Sequence, residues 1–423
     1  MSRPGPGPDA SPLGGYPAEG QYGHKKDEAS AILRHVPPEA KTLADPFGGT
    51  GVVAWTAKGM GLAVVTSDLM AFSALRLKVF VGNDRTVLDE ADIEILLKAK
   101  AANGLINELY GSALGRKNAA FLDGLTDNLP LLGCAGKRDV AVCLAVLCVM
   151  RHMNHPCVTF GHDGRFTGRR TIEQADLRAD FRRMALVEFP RLLRAGLRPC
   201  KTSRGDAIKF VAETPCDVLY LDPPFASPAS RYQRDLGFYD KLVHLLSGRP
   251  ELIGRPRVGL PVLPPHADFT GRKTALMGIK LLFKAAGRQA RRVIFSFNST
   301  SEINPHEIIT AARDWYGGLS SCEWHPGRRP TCSDRCRKTT ANAVMVFDRG
   351  RPTASPQWNP ADITFADLFC GVGGFRMALQ SAGARCVFSS EIDVAAGATY
   401  LANWGELPTG DIMKVAPDDM PEH

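Results

Sequence analysis

Two distant stretches of this chain repeat one local plan: strand, glycine-rich turn, helix, second strand, acid. They are LADPFGGTGVVAWTAKGMGLAVVTSDL at 43–69 and FADLFCGVGGFRMALQSAGARCVFSSEID at 365–393. Parallel strands need a crossover helix, so each stretch reads as the opening of a layered α/β unit. In the first, a strand ends at Asp45, and Gly48, Gly49 and Gly51 make a tight turn before the helix. Glycines let a ligand approach the backbone closely, and a helix N-terminus offers free N–H groups to a carboxylate. The next strand ends at Asp68, placed to accept hydrogen bonds from ribose hydroxyls. On these residues alone a nicotinamide or flavin site, or a purely structural glycine turn, is also open.

From Tyr22 to Phe347 the chain alternates strand-like and helix-like segments. KTLADPF, GLAVVTSD, CDVLYLDPPF and RRVIFSFNS read as strands. That alternation predicts a doubly wound, parallel α/β sheet. Residues from about 90 to 200 are instead mostly helical by pattern, with a basic loop, and read as an insertion able to carry specificity. Residues 1–20 are rich in Pro and Gly and are expected to form a disordered tail. RGRPTASPQWNPAD at 349–362 reads as a linker to the second unit at 363–423.

With 423 residues, 44% of them hydrophobic, the chain can build more than one core. Its net charge of +8 suits an acidic partner such as nucleic acid, without requiring one. The apolar run DVAVCLAVLCVM at 139–150 is too short to span a bilayer and is expected to be a buried helix. The Pro/Gly-rich start shows no signal-peptide pattern, and 11 scattered cysteines fit free thiols in a reducing cytoplasm.

CDVLYLDPPF at 216–225 carries the most specific chemistry. Its run VLYL predicts a central buried strand ending in Asp222, Pro223, Pro224 and Phe225. Ligands of open α/β sheets sit at the carboxyl ends of strands, so this tetrad should face the cofactor crevice. An exocyclic amino group on a base is conjugated with the ring and is a poor nucleophile. Asp222 can accept one of its hydrogens and the Pro223 carbonyl the other, leaving the nitrogen lone pair to point at an electrophilic methyl. Two prolines hold that carbonyl rigidly, and Phe225 offers a face on which an extruded base can stack. A Pro-rich turn capping a strand is the plain alternative.

DPFGGTG together with DPPF resembles the S-adenosylmethionine-dependent amino-methyltransferases of DNA, in the Dam-like class. The order of cofactor loop, target-recognition insertion and Asp-Pro-Pro-aromatic motif is the same. GQYGHKKDEASAILRHVP at 20–37 resembles that class's N-terminal cofactor segment, and DPPFASPASRYQRDLGFYDKL at 222–242 its continuation past the tetrad. VIFSFNS sits where the class has a strand lining the target-base pocket. The resemblance covers most of 20–348 and implies a Rossmann-like methyltransferase domain over 21–348. It further implies that Asp45, Gly48 and Gly51 line the methionine part of S-adenosylmethionine, with Pro46, Phe47 and Gly49 of the same loop also binding the cofactor. Asp68 would take the ribose, Asp206 in SRGDAIKF the adenine, and Lys25 would be a further cofactor contact. Asp222, Pro223, Pro224 and Phe225 would bind and activate the target amine. Asp in first position favours adenine N6 over cytosine, whose enzymes more often carry Ser. Related tetrads that begin with Asn act on RNA or on protein glutamine. Double-stranded DNA is the implied substrate, and a restriction endonuclease of a restriction-modification pair is a candidate partner.

CEWHPGRRPTCSDRC at 322–336 holds Cys322, His325, Cys332 and Cys336, which are zinc-ligand types, but the spacing matches no usual zinc module, so no metal is expected. Arg328, Arg329, Arg335, Arg337 and Lys338, and the GRFTGRR stretch at 164–170, fit phosphate contacts or ordinary solvated loops.

DLFCGVGG at 367–374, SSEIDVAAGATYLANW at 389–404 and GDIMKV at 410–415 resemble three successive motifs of the cytosine-5 DNA methyltransferases. They imply cofactor roles for Phe369, Gly371, Gly373, Glu391, Asp393 and Asp411, in a partial second Rossmann-like unit. Cytosine C5 becomes nucleophilic only after a thiolate adds to C6. No cysteine follows Asp411, and Cys370 and Cys386 sit in the loop and second strand, so this unit is expected to be a truncated cofactor half, inactive and unstable by itself. The alternatives to an adenine methyltransferase are a cytosine-5 enzyme completed by a downstream fragment, and an inactive DNA-binding remnant.

Overall fold

The computed structural model describes residues 16–17, 25–98, 104–153, 171–224, 232–253, 269, 271–298, 301–326, 341–350, 363–381 and 383–421. It divides into two compact units, Met1–Arg351 and Pro352–His423.

The first unit is built on a seven-stranded sheet in the order β3-β2-β1-β4-β5-β7-β6. Its strands are β1 (Thr42–Asp45), β2 (Ala63–Asp68), β3 (Lys201–Arg204), β4 (Cys216–Leu221), β5 (Ala290–Asn298), β6 (Gly317–Pro326) and β7 (Ala341–Arg349). Strands β1 to β5 pair in parallel, and β7 inserts antiparallel between β5 and β6. The order reverses between β1 and β4. That switch point opens a crevice at the carboxyl ends of both strands, where the first glycine loop and the DPPF tetrad begin. The sheet is thus parallel over five strands and antiparallel at one edge, an edge arrangement that the alternation of segments did not reveal.

Val218, Leu219, Tyr220 and Leu221 of β4 are all buried, as a strand covered on both faces requires. One core packs helices α1 (Ala29–Leu33), α2 (Val52–Gly59) and α3 (Ala71–Phe80) on one face; the other is lined by the helices Arg272–Gln289 and Pro305–Trp315.

The helical region within 90–200 shares the first of these cores. Its longest helix, Ala135–His152, is buried continuously from Val140 to Met150, as its apolar run predicts. The described part therefore belongs to the body of the domain, and GRFTGRR lies outside the described residues. Tyr16 also departs from the expectation of a tail: its ring is fully buried against Trp55 and Phe80, and its hydroxyl donates to the Thr50 carbonyl at 2.7 Å. One large aromatic can anchor a segment whose composition is otherwise that of a tail. Among the described residues, no helix is long and apolar enough to cross a membrane.

The second unit pairs β8 (Thr364–Leu368) in parallel with β9 (Arg385–Ser390) across the helix Gly374–Ser381, and the helix Val394–Trp404 follows.

Candidate active site

The glycine loop after β1 is shaped by its backbone. Gly51 adopts φ 80° at the N-cap of α2, a left-handed conformation that favours glycine. Gly48 has no room for a side chain: a Cβ there would stand 2.5 Å from Leu77 and 2.7 Å from the Thr66 hydroxyl. The Gly48 N–H donates to the Ser67 carbonyl at 2.9 Å, and the Gly51 N–H to the Gly48 carbonyl at 2.7 Å.

Asp68 ties this loop to β2. Its carboxylate accepts from the Gly49 N–H at 2.9 Å and the Met70 N–H at 2.8 Å. Burial pushes its pKa up to about 6, against the opposing pull of those N–H groups. Asp45 is buried, accepts from the Phe47 N–H at 3.1 Å, and is held well above the usual carboxylate range by burial and by nearby Asp222 and Asp68. Pro46 is buried beside it, and Phe47 meets Phe269 edge to face at 5.3 Å. Asp206 caps the helix Ala207–Glu213, accepting from the Lys209 N–H at 2.9 Å. The preceding Gly205 N–H reaches the Asp68 carbonyl at 3.1 Å, which brings Asp206 close to the β2 end.

Asp222 stands one strand over, at the end of β4. Lys25 lies against it, with Nζ 3.3 Å from Oδ1, and both side chains are largely buried. That places Lys25 on the tetrad's carboxylate. Beyond this ion pair, the buried Oδ1 of Asp222 has no hydrogen-bond partner. Burial raises its pKa, while Lys25 and the nearby Tyr220 hydroxyl pull it down. The Tyr220 hydroxyl also meets the Ser296 hydroxyl at 2.9 Å. Pro223 and Pro224 border an apolar cleft with Ile279, Phe295, Phe297 and Ile308, so β5 does line the space beside the tetrad. Phe225 lies outside the described residues.

Several groups around the site were not singled out in the sequence: Tyr220, Ser296, Asp240, and Glu28, whose carboxylate lies 3.9 Å from Lys25 Nζ. Asp240, on the helix Tyr232–Leu246, accepts from the N–H groups of Ala71 and Phe72 at 2.8 and 2.9 Å, and so caps α3 directly after the Asp68 loop. Residues i and i+2 of a strand share a face, so Tyr220 could have been read from Asp222; the rest join distant segments.

The second unit repeats the pairing of acid and loop. Glu391 accepts from the Gly371 N–H at 2.7 Å, as Asp68 does from Gly49. Phe369, Gly371 and Gly373 all have positive φ, and Phe369 is exposed. Asp393 caps the helix Val394–Trp404 through the Ala396 N–H at 2.7 Å. The segment before Asp411 returns to β9 through a Ser390–Thr409 bridge, and Asp411 accepts from the Met413 N–H at 3.0 Å. Cys370 is buried and Cys386 half-buried. Cys322 and His325 lie on β6; Cys332, Cys336 and the arginines between and after them lie outside the described residues. Among the described residues no cluster of His, Cys, Asp and Glu is arranged to hold a metal.

A seven-stranded sheet with β7 reversed, a glycine loop stitched to a strand-end acid, and a second acid across the switch point together define a Rossmann-like methyltransferase fold. Residues 22–108 match the family of D12 class N6 adenine-specific DNA methyltransferases, and residues 363–423 match the C-5 cytosine-specific DNA methylases. Two segments of the chain thus match two DNA methyltransferase classes, and both classes use S-adenosylmethionine as methyl donor. It is 52% identical over 61 residues to the type II methyltransferase M.DsaV of Dactylococcopsis salina, covering 14% of this chain and 17% of that protein. It is 55% identical over 60 residues to M.HpaII of Haemophilus parainfluenzae, with the same two coverages. Both alignments are short, so the chain spans about a sixth of the length of those relatives. The type II methyltransferase M2.HphI of Haemophilus parahaemolyticus is 21% identical over 246 residues, 55% of this chain and 72% of that protein.

The first site fits the sulfonium cofactor on its own geometry. Buried Asp45 and half-buried Asp68 sit at adjacent strand ends beside the glycine loop, and a buried acceptor, Asp222 Oδ1, lies across the switch point.

Proposed function

We propose that residues up to 351 form a DNA amino-methyltransferase that modifies the exocyclic amine of a flipped base, with adenine N6 as the target. The observation that carries this reading is the Asp222 Oδ1 atom: buried, without a hydrogen bond beyond its ion pair, and one strand from the cofactor loop. A buried acceptor short of hydrogen bonds is costly, and an amine N–H entering the site would supply one. Bound cofactor supplies an electrophilic methyl on a positively charged sulfur. The chain's own residues do the rest. Asp68 takes the ribose hydroxyls, and Asp45 with Gly48, Gly49 and Gly51 cradles the amino-acid end. Asp222 and the Pro223 carbonyl hold the amine hydrogens, which frees the lone pair, and the apolar wall of Phe295 and Phe297 excludes water from the base. The Asp of the tetrad and the match to the D12 class favour adenine. The type II names of the relatives favour a restriction-modification setting with double-stranded DNA as substrate and an endonuclease as companion.

The test is purified protein with labelled cofactor and mixed-sequence DNA, followed by nucleoside digestion. N6-methyladenine is expected, and Asp222→Ala should lower kcat by at least about a hundredfold. Exocyclic methylcytosine would move the target to cytosine; full activity in Asp222→Ala would end the reading.

A second reading attaches to residues 363–423. Phe369, Phe375, Ile392, Val394 and Met413 are exposed there, which favours a surface completed by further cytosine-5 methyltransferase residues carrying the nucleophilic cysteine. Appearance of 5-methylcytosine on adding such a fragment would support it, and its continued absence would count against it.

A further inference from the structure

The tetrad's acid is not held by the tetrad alone. Lys25 Nζ lies 3.3 Å from Asp222 Oδ1 and 3.9 Å from Glu28 Oε2. Glu28 in turn accepts from the Asn342 amide at 2.5 Å, and Asn342 accepts from the Asn298 amide at 2.6 Å. A polar chain therefore runs from Asp222 through the N-terminal segment to the ends of β7 and β5. On its other side Asp222 faces Tyr220, itself fixed by Ser296.

We propose that Lys25 is a positioning residue for methyl transfer: its ammonium keeps Asp222 a carboxylate directed at the incoming amine, and Glu28 moderates that pairing. The proposal rests on the amino-methyltransferase reading above. Its logic is electrostatic. The ionised acid accepts the amine hydrogen at either oxygen, whereas protonation turns one of the two oxygens into a donor. Burial works against ionisation, and so does the negative charge of Glu28; Asp45 on β1 is near enough that the charge of Asp222 raises the pKa of Asp45. Lys25 and the Tyr220 hydroxyl on β4 work for it. Ser296 on β5 is uncharged. The N-terminal segment, which carries no glycine-loop chemistry, thereby enters the catalytic step.

Opposite charges at positions 25 and 28 give opposite predictions, which a merely structural role would not. With 13C-labelled aspartate in the full chain, and the Asp222 signal assigned through Asp222→Asn, the carboxyl titration should move to higher pH in Lys25→Met. It should move to lower pH in Glu28→Gln, and Lys25→Arg should restore it. The acid limb of the kcat profile should follow, with Lys25→Met losing roughly tenfold near neutral pH and recovering as the pH rises. Cofactor affinity by calorimetry should stay within about twofold. An unmoved titration in Lys25→Met, or shifts of the same sign in both variants, overturns the proposal. Loss of cofactor affinity in step with kcat would make Lys25 a cofactor contact instead. Should Lys25→Met fail to fold, Glu28→Gln alone decides through the sign of its shift. The titration reads without turnover, so an inactive protein with the expected shifts would refute the enzymatic reading and leave the Lys25–Asp222 pairing standing.

Discussion

Asp68 shows how one side chain can couple pH to both folding and ligand binding. Its pKa in the fold is about 6, against 3.8 for a free aspartate, because burial disfavours the charge more than two backbone N–H groups restore it. The folded state therefore holds more proton than the unfolded one between these values. Stability from this group is present below about 3.8 and is lost as the pH rises through about 6. In the proposed site cofactor binding runs the other way, since ribose hydroxyls would donate to the carboxylate. Calorimetric affinity for S-adenosylmethionine should weaken as the pH falls through about 6. Asp68→Asn should flatten that profile and weaken binding at pH 8 by about 2 kcal/mol. The same variant should lose the fall in stability between those pH values, as read by urea titration. The acids at the strand ends were legible in the sequence because strand, turn and acid are consecutive. Lys25 was legible as a residue of interest but not as the partner of Asp222: the ion pair spans most of the domain, and nothing local encodes it.

At the scale of elements, a helix cap joins the chain that follows the Asp222 tetrad to the Asp68 loop. Asp240 lies 169 positions beyond Ala71, yet it satisfies the first N–H groups of α3, whose approach carries the Met70 N–H that holds Asp68. Asp240→Ala leaves those buried donors unpaired and should cost about 2 kcal/mol in a urea melt, with a parallel loss of cofactor affinity. The helix Ala135–His152 makes a different prediction. Leu144 is fully buried in the core shared with α3, so Leu144→Ala should destabilise by about 3 kcal/mol while leaving kcat of the folded protein near the parent value. The apolar run revealed that helix, because continuous burial needs continuous hydrophobicity. The antiparallel edge made by β7 was not visible, because strand direction is set by connection geometry and leaves no mark in a short apolar run. Tyr16 was hidden for a related reason: its burial depends on a pocket formed by Trp55 and Phe80, well downstream.

At the scale of the whole molecule, the same small device occurs twice. Asp68 grips Gly49 in one unit, and Glu391 grips Gly371 in the other. Their surroundings differ. The first loop is backed by Leu77, Tyr16 and the continuous core, whereas Phe369 and Val372 of the second are exposed at 74% and 53%. A cofactor over the second loop would meet a more open surface and keep more of its own apolar area in water, and binding weakens with the apolar area left in water. The full chain should therefore bind two molecules of S-adenosylmethionine, the second at least about tenfold more weakly. Asp68→Ala should remove the tight calorimetric phase and amine methylation together. Glu391→Ala should remove only the weak phase, leaving amine methylation unchanged. If Glu391→Ala instead abolished amine methylation, the two units would have to act as one catalytic body, and the assignment of the chemistry to the first unit alone would fail.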